Sequence, residues 1–429
     1  MTNPAKKSSI GVVAALSIGV GAMVGAGIFS VLGVVAGLAG SATPISFVIG
    51  GVVAGLAAYS YVALGKTFPS VGGSVTFIVR GFGEGAVSGS FNLFQYFSYI
   101  ITIALYATAF AAYANTFVRL PAKTWAVGVV LAFMAVNFLG SRIMGRAESA
   151  IVIVKVAILV VFIVAAYVAL TRHDLARLAP SSWSGPLGVL TGAGVVFVGY
   201  EGFGLITNAG ANMAKPAIDL PRAIYGSVAI VIVLYVLIST GVVTNVPLAS
   251  LKGLGDSALA VAARPSLGQA GFRLIAVAAL LSTASAVNAT LFGSTNIAYQ
   301  IAKNGGLPSG FDRKLWGRDV EGLFITSGLV LVFVLVFPLS AVASMGSAGF
   351  LLVYAAVSIG HLRIRDQTGA KAWPVVASVV TCLSLFSVLF YNMVTRAPSS
   401  AIALGSPSPR VSSSRWCIAA RPVERSRRS

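Results

Sequence analysis

The sequence predicts an all-α, polytopic membrane protein, and three observations carry that expectation. Of 429 residues, 57% are hydrophobic and only 10% charged, against about 25% charged in a soluble domain. Apolar runs recur from end to end, each of about 20 residues and long enough to cross a hydrocarbon core of roughly 30 Å. The runs lack dyad alternation. A backbone in lipid must be helical or close into a barrel, so helices remain.

Eleven spans can be placed, at about residues 10–38, 44–65, 86–117, 124–140, 149–170, 187–208, 223–244, 272–301, 322–338, 341–360 and 374–394. Pro, Gly and charge mark the turns between them, as at Thr43-Pro44 and Leu120-Pro121. The first, third and eighth runs exceed what a perpendicular crossing needs, which implies tilt or a break.

A net charge of +19 would suggest nucleic acid in a soluble protein. In a membrane protein Lys and Arg collect in cytoplasmic loops instead, so the expected partner is the bilayer and no nucleic acid. With residues 1–9 in the cytoplasm, the inner loops carry fifteen Lys and Arg and the outer loops seven. The start, Met1-Thr-Asn-Pro-Ala-Lys-Lys, runs into the first span without a small-residue cleavage site, so that helix is read as retained. Cys382 and Cys417 show neither metal spacing nor a disulfide framework. His173 and His361 fall at predicted loops, and no nucleophile–base set is visible. Neither an enzyme, a metal nor a cofactor is expected.

Residues 395–429 are rich in Ser, Pro and Arg and hold no span. With eleven spans this tail would lie outside, against the positive-inside bias. The abrupt change after Tyr391-Asn-Met-Val-Thr395 reads as a changed reading frame; resequencing the coding region tests it.

Two spans carry glycine clusters at mid-membrane. The first holds Gly19-Val-Gly-Ala-Met-Val-Gly-Ala-Gly-Ile28 and the sixth Val195-Val-Phe-Val-Gly-Tyr-Glu-Gly-Phe-Gly204. Glycine favours unwound backbone and weakens a helix by about 1 kcal/mol relative to alanine. Freed N–H and C=O groups are tolerated in hydrocarbon only where they line a cavity or meet a polar ligand. A small-residue packing face, with Gly21 and Gly25, is the alternative for the first cluster. These two spans open two five-helix blocks, 10–170 and 187–360, with 374–394 as an additional span. Five is odd, so the second block inserts inverted, giving a five-plus-five inverted repeat of LeuT type. Interrupted helices at matching places in two halves point to a transporter's binding site. Half-helix N-termini suit a carboxylate and half-helix C-termini an ammonium group, so the breaks fit an amino acid.

Two ionisable side chains lie deep in spans, Lys155 and Glu201, and each must face a cavity or lose its charge. Lys155 can carry a proton as the cavity opens to either side, or act as a charged tether bonded to freed carbonyls. Glu201 can bind a substrate ammonium, relay protons, or satisfy unwound N–H groups. Ser282, Thr283, Ser285 and Asn288 can line an ion or proton site, or bond back to their own helix. Asn92, Gln95, Tyr96 and Tyr99 recur at spacings of three or four and can line the path.

Gly21-Ala-Met-Val-Gly-Ala-Gly-Ile-Phe29 resembles the first-helix motif of the amino acid–polyamine–organocation permeases. Phe197-Val-Gly-Tyr-Glu-Gly-Phe-Gly-Leu-Ile-Thr-Asn-Ala209 resembles their sixth helix. Ala214-Lys-Pro-Ala-Ile-Asp-Leu-Pro-Arg-Ala-Ile224 and Lys303-Asn-Gly-Gly-Leu-Pro308 resemble the loops after the sixth and eighth helices. The resemblance implies alternating access around a substrate held at Ala22, Met23, Val24, Gly25, Ala26, Gly27, Phe197, Val198, Gly199, Tyr200, Glu201 and Gly202. Ala26 and Gly27 would face its carboxylate, and Phe197 to Gly199 its amino group. Lys155 matches a fifth-helix lysine that some relatives carry where others use sodium, which favours proton coupling. Relatives usually have twelve helices, so the last is expected to be missing. They also carry an acidic residue where this chain has Asn208-Ala-Gly-Ala-Asn-Met213. The expected function is a proton-coupled amino acid symporter of the plasma or inner membrane. An amino acid or polyamine exchanger, a non-transporting sensor and an inactive truncated product are the alternatives. The small apolar surroundings of the breaks favour neutral substrates; oligomeric state is not readable.

Overall fold

A computed structural model gives the fold and describes residues 10–70, 72–139, 144–170, 175–210, 213–247, 257–303, 307, 311, 321–396, 398 and 404. The described residues are helical with no strand; two isolated bridges, Ile10 with Met213 and Gly40 with Trp183, tie down the two ends of the first helix. That helix is α1 (Val12–Ala39), followed by α2 (Thr43–Thr67), α3 (Gly73–Phe82), α4 (Ala86–Ala114), α5 (Ala122–Leu139) and α6 (Met144–Val168). The next span is composite: α7 (Gly185–Val196), a 3-10 segment (Phe197–Phe203) and α8 (Gly204–Ala209). Then come α9 (Pro216–Asn245), α10 (Arg264–Lys303), α11 (Glu321–Val336), α12 (Leu339–Arg363) and α13 (Ala372–Arg396). Except for Thr395, Arg396, Pro398 and Leu404, the predicted tail lies outside the described residues.

Among the described residues nine helices are long and apolar enough to cross a membrane, and α1 passes the same test as a bent pair. The shorter Gly322–Val336 is apolar as well. Burial sorts them. In the apolar stretch of the α7–α8 span 83% of residues are buried, as in α12, against 17% in α5 and 28% in α6. The composite span and α12 are therefore central, and α5 and α6 face lipid. Val160, Val161, Val164 and Val168 form an exposed apolar stripe on α6, which is stable only against hydrocarbon. The long α10 is interrupted at Gly268, whose φ of 65° is open to glycine and strained for other residues.

The sequence reading missed α3, ten residues between the second and third spans. It lies against α12 so closely that a Cβ on Gly81 would sit 2.7 Å from the carbonyl carbon of Gly360. The Arg80 guanidinium covers the Phe68 ring and that of Arg363 the Phe82 ring, at 5.2 and 4.9 Å. Gly81→Ala is expected to cost about 1–3 kcal/mol, because two backbones would have to part. The check is a lower unfolding temperature in detergent. Gly128→Ala in α5, where nothing lies within 4 Å of the added carbon, should leave that temperature unchanged or slightly raised.

Candidate functional site at the bends of α1 and the sixth span

The glycine cluster of the first span does not unwind. Its backbone stays helical from Val12 to Ala39 and bends by 41° between Val12–Gly25 and Gly27–Ala39. The expected unwound stretch is corrected to a bend, and the reason is packing. A Cβ on Gly21 would lie 2.6 Å from Val152 of α6, and one on Gly27 would lie 2.7 Å from the Cα of Gly199. Gly21 admits a neighbouring side chain and Gly27 a neighbouring backbone, while the chain stays helical throughout.

The sixth span does change at its cluster. Phe197–Phe203 tightens into a 3-10 helix between two α-helical pieces, a poorer hydrogen-bond geometry that often marks a hinge. Hydroxyl groups from neighbouring helices meet the backbone there. The Tyr354 hydroxyl of α12 donates to the Glu201 carbonyl at 2.6 Å. Val198 N–H donates to Ser347 Oγ at 3.0 Å, and that hydroxyl donates to the Gly194 carbonyl. Tyr200 in turn donates to the Phe47 carbonyl of α2 at 2.9 Å.

Tyr235 of α9 joins the two bends. Its hydroxyl donates to the Met23 carbonyl of α1 at 2.6 Å and lies 3.2 Å from the Gly199 carbonyl. Tyr235→Phe keeps the rings against Phe47 and Tyr200 and removes only this clasp. It is expected to cost about 0.6–1.7 kcal/mol, the range for interhelical hydrogen bonds in membranes, read as lower thermal stability and weaker amino acid binding. Sequence reasoning missed Tyr235, Tyr354 and Ser347. Their one signal was a hydroxyl in an otherwise apolar span, and many such hydroxyls only bond back to their own helix.

The structure brings the predicted substrate residues of the two spans face to face. Gly27 meets Gly199, and a Cβ on Gly202 would lie 2.7 Å from both the Ala22 Cβ and the Met23 nitrogen. Met23, Val24, Phe197, Val198, Gly199, Tyr200, Glu201 and Gly202 are buried, Ala22 is half-buried and the Ala26 side chain lies outside the described residues. Lys155 is 1% exposed, and its Nζ donates to the Gly21 carbonyl at 2.7 Å, on the N-terminal side of the α1 bend. Gly25 faces this amine and Ala286 of α10. Glu201 is 5% exposed, and its Oε2 has no hydrogen-bond partner among the described residues.

The remaining candidates separate. Gln95 Nε2 donates to Ser74 Oγ of α3 at 2.5 Å, and Tyr99 packs edge-on against Phe350 at 5.1 Å. Both face the composite span's neighbours, whereas Tyr96 turns away and shares a 2.8 Å hydrogen bond with Thr326 of α11. Thr283 donates to the Ala279 carbonyl of its own helix. Ser282 Oγ is buried without a partner among the described residues, and Ser285 is half-buried. Asn288 accepts from Asn137 of α5 at 2.9 Å and so ties α10 to α5.

A bundle of membrane-length helices, bent or tightened at its centre around buried Lys and Glu, defines a polytopic membrane transporter. A family model described as amino acid permease matches residues 10–411, and the chain belongs to that family. It is 40% identical to an uncharacterized protein of Methanocaldococcus jannaschii, over 88% of this chain and 87% of that one. It is 33% identical to the inner membrane transport protein YbaT of Escherichia coli, over 88% and 89% of the two chains. Against the branched-chain amino acid permease BcaP of Bacillus subtilis the identity is 25%, over 88% and 87%. The latter two are, by name, a transport protein and a permease.

Proposed function

We propose that this permease carries neutral amino acids across the plasma or inner membrane by alternating access, with a proton as the coupled ion. The observation that carries the proposal is Lys155. It is buried in α6 and bonded to the backbone of α1 beside the bend. An ammonium there is costly to hold in hydrocarbon unless carbonyls meet it. Losing its proton weakens the bond to Gly21, so the protonation state of Lys155 biases the position of α1. An ion that controls α1 controls one wall of the site. The facing bends at Gly27 and Gly199 supply the substrate-binding wall, in the five-plus-five inverted arrangement. The small residues around them favour a neutral side chain.

The test is uptake of a labelled neutral amino acid mixture into liposomes holding the purified protein. Uptake is expected to rise with an inward proton gradient and to fall to background when a protonophore collapses it. Uptake that ignores the gradient and requires amino acid preloaded inside would make the protein an exchanger instead.

A further inference from the structure

Three buried polar atoms beside the 3-10 segment have no hydrogen-bond partner among the described residues: the Tyr61 hydroxyl of α2, Gln95 Oε1 of α4 and Glu201 Oε2. Their residues are 1%, 2% and 5% exposed. Orphans of this kind are uncommon in native proteins, and ordered water is the usual partner. These three belong to one neighbourhood. The Tyr61 ring packs edge-on against Tyr354 and Phe203, with centroids 5.0 and 5.4 Å apart, and the Tyr354 hydroxyl is bonded to the Glu201 backbone. The Tyr61 ring also packs edge-on against Phe77 of α3, with centroids 5.8 Å apart. Gln95 Nε2 reaches Ser74 Oγ of the same helix at 2.5 Å. Helix α3 is thus where Tyr61 and Gln95 converge, through Phe77 and Ser74, and it packs against α12 and α4.

Among the described residues, hydroxyls surround Glu201: those of Tyr61 from α2, Tyr99 and Tyr106 from α4, and Tyr354 from α12. Tyr235 of α9 is turned to the Met23 and Gly199 carbonyls, and Cys382 of α13 stands behind Tyr61 and Tyr354. A carboxyl set among hydroxyls, with one oxygen unpartnered among the described residues, suits a proton carrier that needs a route out.

We infer that Tyr61, Gln95, Ser74 and Glu201 hold a small cluster of water through which Glu201 exchanges its proton with the membrane face that bears α3. The Glu201 O–H gives its proton to an adjacent water. The Tyr61 hydroxyl accepts a proton on its oxygen and releases its own to the next water. The proton leaves as hydronium beside Ser74, the carboxylate stays behind, and reloading runs the same steps backwards. Gln95 orients water and carries no proton. The use of this route in transport rests on the proton-coupled reading above; its hydration does not.

Infrared spectroscopy of the reconstituted full chain tests it. The carboxylic C=O band is assigned by its loss in Glu201→Gln, and its downshift after transfer to D2O is timed. The band should exchange about tenfold or more slowly in Tyr61→Phe/Gln95→Leu than in the natural sequence, because the bridging partners are gone. Tyr61→Phe alone keeps every ring contact and should give an intermediate rate, so a folding failure of the double variant leaves the test intact. Equal exchange in all three proteins would overturn the inference, as would the absence of a band that Glu201→Gln removes. Slowed exchange in a protein whose uptake ignores the proton gradient would retain the hydrated route and remove the symport reading.

Discussion

Lys155→Ala is expected to lower proton-driven amino acid uptake by about 5–150-fold, the range of a coupling free energy of about 1–3 kcal/mol. The substitution removes the side-chain donor on the Gly21 carbonyl of α1 and with it the charge that reports the proton gradient to that helix. Exchange of labelled for unlabelled amino acid at equal pH needs no net proton movement. It should therefore survive in Lys155→Ala. Lys155→Arg keeps a charge that does not titrate in proteins, so it should also fail to respond to the gradient. If Lys155→Ala lost exchange together with gradient-driven uptake, Lys155 would be a tether and not a proton carrier.

Gly27→Val has the second large effect. The added carbon would stand 2.7 Å from the Cα of Gly199 and would also strike the Tyr235 hydroxyl. One obstacle is backbone and the other is the clasp between the bends, so neither yields without parting α1 from the 3-10 segment. Overpacking of this kind costs about 1–3 kcal/mol or more. Amino acid binding, followed by isothermal titration in detergent, should be lost. Gly37→Ala, further along the same helix with nothing within 4 Å, should bind like the natural sequence. Normal binding by Gly27→Val would place the substrate elsewhere.

Much of this architecture was legible because lipid leaves a chain few options. Hydropathy located the long helices, and the carboxylate among glycines at Gly199, Glu201 and Gly202 marked the place where the sixth span tightens. The first cluster was harder to read. A glycine's identity does not say whether it frees the backbone or admits a neighbour, and the second use prevails at Gly21, against Val152, and at Gly27, against the Gly199 backbone. Helix α3 escaped notice because ten residues with Arg80 among them look like a basic loop; its contacts with Gly360 and Gln95 show that it is packed structure. Tyr235 was illegible for a different reason. Its role depends on two carbonyls far away in sequence, on Met23 and Gly199, and no local pattern announces such a partner.

A symporter of this kind carries amino acid and proton across together. It is tested most directly by adding a neutral amino acid outside proteoliposomes that hold a pH-sensitive dye, with no gradient imposed and the membrane potential clamped. Acidification of the lumen that begins with amino acid entry and is absent in Lys155→Ala is the predicted result. Entry of labelled amino acid at an unchanged internal pH would contradict the account.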